Sequence, residues 1–188
     1  MRVFINPGHA LGGHPDPGAV NEAMGIRECD IAMTVGSLAA NFLELEGHEV
    51  SLLQSHNLMG ESAGPNVTAR ANAWEADVFV SVHCNAADGR ARGAETFCWD
   101  LGSAGARLAA LVQKEVWETL ASFDAAFPNR GVKVRKDLCV LRATAMPAVL
   151  AELAFIDQPE DARLLMEHGC DLGKAIARGV MAFGRQGF

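Results

Sequence analysis

The feature that most constrains the fold is a set of short apolar runs separated by helical patterns. Residues 78–82 and 148–151 are largely apolar and do not alternate with polar residues. Runs of this kind are typical of strands whose two faces are both covered by helices. Because strands alternate with helices and no internal repeat interrupts them, residues 1–188 are predicted to form a single α/β domain.

The order of elements follows from apolar spacing and turn residues. In the helix predicted from about Arg27 to Glu46, Ile31 and Val35 begin an apolar face with a period near 3.6 residues. Gly47 is a natural terminator of that helix. Further helices are predicted at about 67–76 and 103–121, from Pro159 onward, and up to about 183. About six strands are predicted, at 2–6, 49–54, 78–82, 93–99, 138–141 and 148–151, with loops at 10–26 and near 127–129.

Composition excludes several classes of protein. With 188 residues, 49% of them apolar, the chain can bury a substantial core without a disulfide scaffold. Its net charge of −7 argues against a nucleic-acid partner, which would favour a basic surface. Five cysteines without a CxxC pair suggest neither a disulfide framework nor a thiolate metal site.

Export and membrane signals are missing from the sequence. No apolar stretch reaches the roughly 20 residues needed to cross a bilayer. The first apolar run is too short for a signal peptide and leads directly into Pro7-Gly8. We therefore expect a chain without a transmembrane segment that is either made in the cytoplasm without a signal peptide or has had an export segment removed.

Four polar residues lie where a packed core has no use for them. His9, His83 and Glu152 follow predicted buried strands, and Glu28 opens the first long helix. The carboxyl ends of parallel strands meet at one edge of a sheet, where α/β proteins build their sites. Two imidazoles and a carboxylate are a common open zinc set, and a further carboxylate could accept a proton from water. Taken singly, each has a plainer interpretation as a capping residue, a helix-dipole partner or an arginine partner.

Five separated motifs span nearly the whole chain: Ile5-Asn6-Pro7-Gly8-His9, Asp16-Pro17-Gly18-Ala19, Arg27-Glu28-Cys29-Asp30, residues 76–86 and residues 141–156. Together, and in this order, they resemble one enzyme family, the zinc-dependent N-acetylmuramoyl-L-alanine amidases. The resemblance implies a twisted, mostly parallel sheet with helices on both faces. It also implies that His9, Glu28 and His83 bind Zn²⁺ and that Glu152 is the catalytic residue.

The implied reaction is hydrolysis of the amide bond between N-acetylmuramic acid and L-alanine in peptidoglycan, with the enzyme acting on the cell wall. Two alternatives stay open: a non-catalytic peptidoglycan-binding module, and a zinc peptidase that acts on other amides. The chain departs from the family pattern at Ala10, at Leu153-Ala154 and at Gln54-Ser55-His56-Asn57, so we expect differences in loop shape and substrate fit.

Other candidate ligands are assigned plainer roles. His14 is predicted to be an exposed loop residue, and His48, His56 and His168 are predicted to face solvent. Cys29 and Cys84 adjoin two candidate ligands but should point away from them, because neighbours in a helix or strand face different directions. Asn85 could steady the site or the substrate, or could simply form a turn.

Overall fold

The computed structural model describes residues 1–187; the last residue of the predicted domain, Phe188, lies outside the described residues. The strands are β1 (Arg2–Pro7), β2 (Val20–Asn21), β3 (Ile26–Arg27), β4 (Glu49–Leu52), β5 (Val78–Asn85), β6 (Ala94–Cys98), β7 (Asn129–Val134) and β8 (Ala148–Phe155). The α-helices are α1 (Glu28–Leu45), α2 (Val67–Ala73), α3 (Ala104–Phe123), α4 (Cys139–Arg142), α5 (Pro159–Glu167) and α6 (Gly169–Arg185).

Six strands form one sheet in the order β4-β1-β5-β8-β6-β7. Strands β4, β1, β5 and β8 are parallel, whereas β6 runs antiparallel to β8 and parallel to β7. The predicted single α/β domain with a mostly parallel, six-stranded sheet is therefore confirmed. Strands β2 and β3 form a separate antiparallel pair in the region predicted to be a loop.

Helices cover the sheet on both faces, and one face is covered by more helices than the other. The larger core packs α1, α3, α5 and α6 against one face through residues such as Val80, Leu108 and Ile176. The smaller core packs α2 and α4 against the other face through residues such as Phe79 and Leu150. Among residues 1–187, none of the helices is long and apolar enough to cross a membrane.

Helix ends follow the expected local chemistry. Ser103 caps α3, because its hydroxyl accepts a hydrogen bond from the amide of Ala106 at 3.2 Å. Pro159 occupies the first turn of α5, where the missing N–H costs nothing. The starts of α3 and α5 therefore agree with the helices predicted at about 103–121 and from Pro159 onward.

One predicted strand is wrong, and one strand of the six-stranded sheet was missed in addition to the β2–β3 pair. Instead of a strand, Cys139–Arg142 form the short helix α4 with Leu138 as its N-cap, and Val140 and Leu141 are buried. A run of four apolar residues is too short for its periodicity to separate the two structures. Strand β7 lies at the edge of the sheet and is mostly exposed, so its sequence is polar and resembles a loop.

Candidate metal centre

The candidate site lies on the face of the sheet that is covered by α2 and α4. His83 lies within β5 and pairs in register with Glu152 on β8, so both side chains leave the same face. His9 follows β1, and Glu28 is the first residue of α1. Strands β5 and β8 continue past His83 and Glu152, whereas the sequence suggested that these two strands ended before them. The structure brings the four predicted residues to one end of the sheet.

Glu28 is the centre of the cluster. Its Oε1 lies 2.9 Å from Nε2 of His9 and 2.9 Å from Nδ1 of His83. The same oxygen accepts a hydrogen bond from the amide of Cys84 at 3.0 Å, while Oε2 accepts one from the amide of Ala19 at 2.9 Å. Both carboxylate oxygens are therefore fixed by backbone groups from two separate segments.

The three side chains can hold a metal ion between them. One donor atom from each of His9, Glu28 and His83 lies within 4.8 Å of the others. Although Nε2 of His9 is close to Glu28, it is buried and lacks a hydrogen-bond partner among residues 1–187. A buried ring nitrogen without a partner is costly in a folded protein unless something else binds it. The imidazoles of His9 and His83 are 20% and 18% exposed, so the cluster is still reached by solvent.

Asp16 orients the His9 ring, and sequence reasoning assigned it no role. Its Oδ2 lies 2.9 Å from Nδ1 of His9, and its Oδ1 accepts a hydrogen bond from the amide of Gly18 at 3.1 Å. A carboxylate on one ring nitrogen fixes the tautomer and turns the other nitrogen toward the cluster. In the sequence, Asp16 stood out only as the first residue of the motif Asp16-Pro17-Gly18-Ala19, in a loop dense in turn residues.

Two glycines allow the segments of the site to approach closely. A Cβ atom on Gly8 would lie 2.6 Å from Nδ1 of His83. Gly18 has a φ of 69°, and a Cβ there would lie 2.6 Å from Oε2 of Glu28. His9 itself has a φ of 69°, a conformation that non-glycine residues rarely adopt.

The charges in the cluster are strongly coupled. Burial alone would lower the pKa of His9, but the nearby carboxylates of Glu28 and Asp16 raise this pKa to about 9. Burial opposes ionisation of Glu28, yet the two imidazoles hold its pKa well below the usual range. Without a metal, the directions of these pKa shifts favour an ionised Glu28 beside a protonated His9.

Glu152 is the buried acid next to the cluster. Its Oε2 is buried without a hydrogen-bond partner among the described residues. Burial is the main reason that its pKa rises to about 7; the charge of His83 opposes the rise, and the carboxylates of Glu28 and Glu95 add to it. A carboxyl group that changes protonation near neutral pH is suited to accepting and returning a proton.

Gln54 ties together the two segments that carry His9 and Glu28. Its buried side-chain amide donates to the carbonyl of Gly8 at 2.9 Å and to the carbonyl of Cys29 at 2.8 Å. The sequence identified Gln54 only as a departure from the family pattern. Its two contacts depend on how three distant segments pack, so no local signal could have indicated them.

The remaining predicted residues mostly keep their plainer roles. Cys29 and Cys84 are buried packing residues, as predicted. Asn85 donates from Nδ2 to Glu95 at 2.6 Å, and its Oδ1 accepts from the amide of Ala86 at 3.1 Å. It therefore both steadies this edge of the sheet and shapes the turn after β5.

The other four histidines lie away from the cluster formed by the three candidate ligands. His14 is exposed, as predicted, and His48 and His56 are half-buried. His168, predicted to face solvent, is half-buried as well. Its ring stacks on Phe123 with centroids 3.6 Å apart, and its side chain is only 19% exposed.

The fold and the cluster define a class of protein: an α/β domain whose sheet carries a candidate metal centre beside a buried acid. A model of the N-acetylmuramoyl-L-alanine amidase family matches residues 3–182. The chain therefore belongs to the N-acetylmuramoyl-L-alanine amidase family.

Individual relatives agree with this assignment. The chain is 33% identical over 166 residues to the sporulation-specific N-acetylmuramoyl-L-alanine amidase of Bacillus subtilis (strain 168), covering 88% of this chain and 60% of that protein. It is 32% identical over 180 residues to the N-acetylmuramoyl-L-alanine amidase CwlM of Bacillus licheniformis, covering 95% and 65%. The chain thus spans less than two thirds of the length of these two relatives.

Solved structures share the fold. The N-acetylmuramoyl-L-alanine amidase AmiC2 of Nostoc punctiforme superposes with a TM-score of 0.82 at 28% identity, covering 98% of this chain and 97% of that one. An N-acetylmuramoyl-L-alanine amidase from Clostridium difficile 630 gives a TM-score of 0.79 at 26% identity, covering 100% and 98%.

Proposed function

We propose that this chain is a zinc-dependent amidase that hydrolyses the bond between N-acetylmuramic acid and L-alanine in peptidoglycan. In this proposal His9, Glu28 and His83 hold the zinc ion, and Glu152 is the catalytic acid and base. The observation that carries the proposal is the buried, unpartnered Oε2 of Glu152, a residue that pairs in register with His83 at the cluster. Family membership over residues 3–182 supports the choice of substrate.

The donor set fits zinc by its chemistry. Two imidazoles and one carboxylate are typical of catalytic zinc sites, which keep a position open for water or substrate. The unpartnered Nε2 of His9 and the glycines that admit the His83 ring and the Glu28 carboxylate are consistent with a site built around an ion. When bound, zinc would lower the pKa of a water molecule toward 7 and favour negative charge on the substrate carbonyl oxygen.

Other residues of the chain would then hold the zinc ligands in position and transfer protons. Asp16 holds the His9 ring through Nδ1, and the amides of Ala19 and Cys84 hold the carboxylate of Glu28. Glu152, in its ionised form, would accept a proton from the attacking water. It would return that proton to the leaving nitrogen of L-alanine, because an amide nitrogen leaves poorly without protonation.

Two other functions would give different results in the same assays. A non-catalytic peptidoglycan-binding module has no need of a buried acid with a pKa near 7, so Glu152 argues against it. A zinc peptidase would use the same side chains on other amides. Mass spectrometry of digested cell wall separates the substrates, because only the proposed amidase releases stem peptides with a free L-alanine amino group.

The metal and the base are tested with matched variants. We expect about one zinc per chain in the zinc-supplemented protein, a large loss of zinc in His9→Ala, and no loss in His14→Ala. Glu152→Gln should keep its zinc, while turnover of purified wall falls by about 10²-fold or more. A protein without stoichiometric zinc, or Glu152→Gln with undiminished hydrolysis, would contradict the proposal.

A further inference from the structure

Basic residues are concentrated on one strand near the site of an otherwise acidic protein. Four of the 16 lysine and arginine residues lie between positions 130 and 136, in a chain of net charge −7. They belong to β7 or follow it directly, at the edge of the sheet. No acidic residue lies between positions 129 and 136.

Two of these cations, Arg130 and Lys133, lie near the part of the sheet that carries Glu152. Both contact the buried carboxylate of Glu95, through Nε of Arg130 at 2.9 Å and through Nζ of Lys133. Glu95 in turn pairs in register with Glu152 on the adjacent strand. A chain of contacts therefore leads from the proposed base to the two cations.

The positive charge of the pair is only partly neutralised. Glu95 supplies one negative charge for two cations, and its remaining oxygen accepts from Asn85 at 2.6 Å. The side chains of Arg130 and Lys133 are 33% and 43% exposed, so solvent or a ligand reaches both. The neighbouring Arg135 differs, because it pairs with Asp137 through two hydrogen bonds of 2.8 and 2.6 Å.

The guanidinium group of Arg130 is also fixed in place. It lies over the ring of Phe155, with its central carbon 4.9 Å from the ring centroid. A cation held by a carboxylate on one side and an aromatic ring on the other loses little conformational entropy when it binds an anion.

The distance between β7 and Glu152 limits which part of a substrate could carry the anion that these cations bind. Glu95 lies opposite Gly131 on one side and Glu152 on the other, so β7 is two strand spacings, roughly 10 Å, from Glu152. An extended peptide advances about 3.3–3.6 Å per residue, so roughly 10 Å corresponds to about three residues.

We propose that Arg130 and Lys133 form a binding site for a free carboxylate of the wall stem peptide, two to three residues beyond the scissile amide. This inference rests on the proposed function, because it takes Glu152 as the position of the bond that is cut. The site would favour stem peptides whose glutamate carboxylate is free over those in which it is amidated.

Equilibrium binding tests the site without requiring turnover. The probes are two synthetic tripeptides with a C-terminal carboxamide, L-alanyl-γ-D-glutamyl-L-lysinamide with the glutamate α-carboxylate free and the same peptide with that carboxylate amidated. We expect the zinc-loaded protein to bind the free-carboxylate peptide about tenfold more tightly, the range of a charge-assisted hydrogen bond. Lys133→Gln should remove this preference, and Lys133→Arg should restore it.

The control is Lys114→Gln. Lys114 is an exposed lysine on α3, on the opposite side of the sheet, where it pairs with Glu118 at 3.1 Å. This variant loses the same charge and should keep the tenfold preference. Thermal unfolding of every variant shows whether a loss of binding reflects a loss of fold, and Arg130→Gln provides a second variant at the site if Lys133→Gln is unstable.

The outcomes separate this inference from the proposed function. Equal binding of the two peptides by the unmodified chain, or a preference that survives in both Lys133→Gln and Arg130→Gln, would overturn the carboxylate site. Cleavage of muropeptides without any preference overturns the carboxylate site and leaves the amidase proposal intact. A clear binding preference in a protein that cleaves no muropeptide supports the site and rejects the amidase proposal.

Discussion

Replacement of Glu152 by glutamine in the metal-free protein measures the cost of keeping this acid buried. Burial raises the pKa of Glu152 from 4.5 to about 7. Between these pH values the unfolded chain releases a proton that the folded protein retains, so the stability of the folded state falls as the pH rises. The difference between the two pKa values corresponds to about 3 kcal/mol, at about 1.4 kcal/mol for each factor of ten.

Glutamine keeps the shape of the side chain and never ionises. We therefore expect metal-free Glu152→Gln to be more stable than the unmodified chain by about 2–3 kcal/mol at pH 8, and by less than about 0.5 kcal/mol at pH 4.5. Urea denaturation at both pH values, in the presence of a chelator, measures the two differences. Other titrating groups are common to both proteins and largely cancel.

The matched control is Glu44→Gln on the exposed side of α1. It removes the same charge from the surface and should change stability by no more than about 0.5 kcal/mol at either pH. The reasoning is refuted if Glu152→Gln gives the same difference at pH 4.5 and pH 8, or no gain at pH 8. Either result would mean that Glu152 titrates as an ordinary surface carboxylate.

Three further substitutions probe the support of the metal centre. Asp16→Asn should weaken zinc binding by about 10–100-fold, measured by competition with a chelator, because His9 loses its orienting carboxylate. Gly8→Ala should displace the ring of His83 and lower zinc content, since the new Cβ would lie 2.6 Å from Nδ1. Gln54→Leu should destabilise the protein to urea by about 2–4 kcal/mol, because two carbonyls lose a buried donor.

The sequence was informative about the sheet because burial leaves a strong pattern. The central strands β1, β5 and β8 are buried on both faces, so their apolar runs located them and the polar residues that follow those runs. The candidate ligands were visible for the same reason, since a charged or polar residue next to such a run has no place in a core.

The missed parts depend on tertiary contacts. Asp16 and Gln54 lie in loops, and their partners are set by how those loops pack against other segments. The edge strand β7 has no apolar pattern because one of its sides is unpaired and most of it is exposed. The local sequence pattern predicts which residues are buried, but it does not predict which distant group a polar side chain will form a hydrogen bond with.

At position 9, the residue that would make the fold most stable is not the residue that the cluster needs. Its φ of 69° is a conformation that costs a residue with a Cβ about 1–3 kcal/mol, and glycine almost nothing. Glycine at position 9 would therefore relax the chain, but it would also remove one of the three side chains of the cluster. Selection for thermal stability alone would drift toward glycine here and lose the centre. Stability of the backbone therefore does not account for histidine at this position, and a stability-guided redesign of this fold should leave it unchanged.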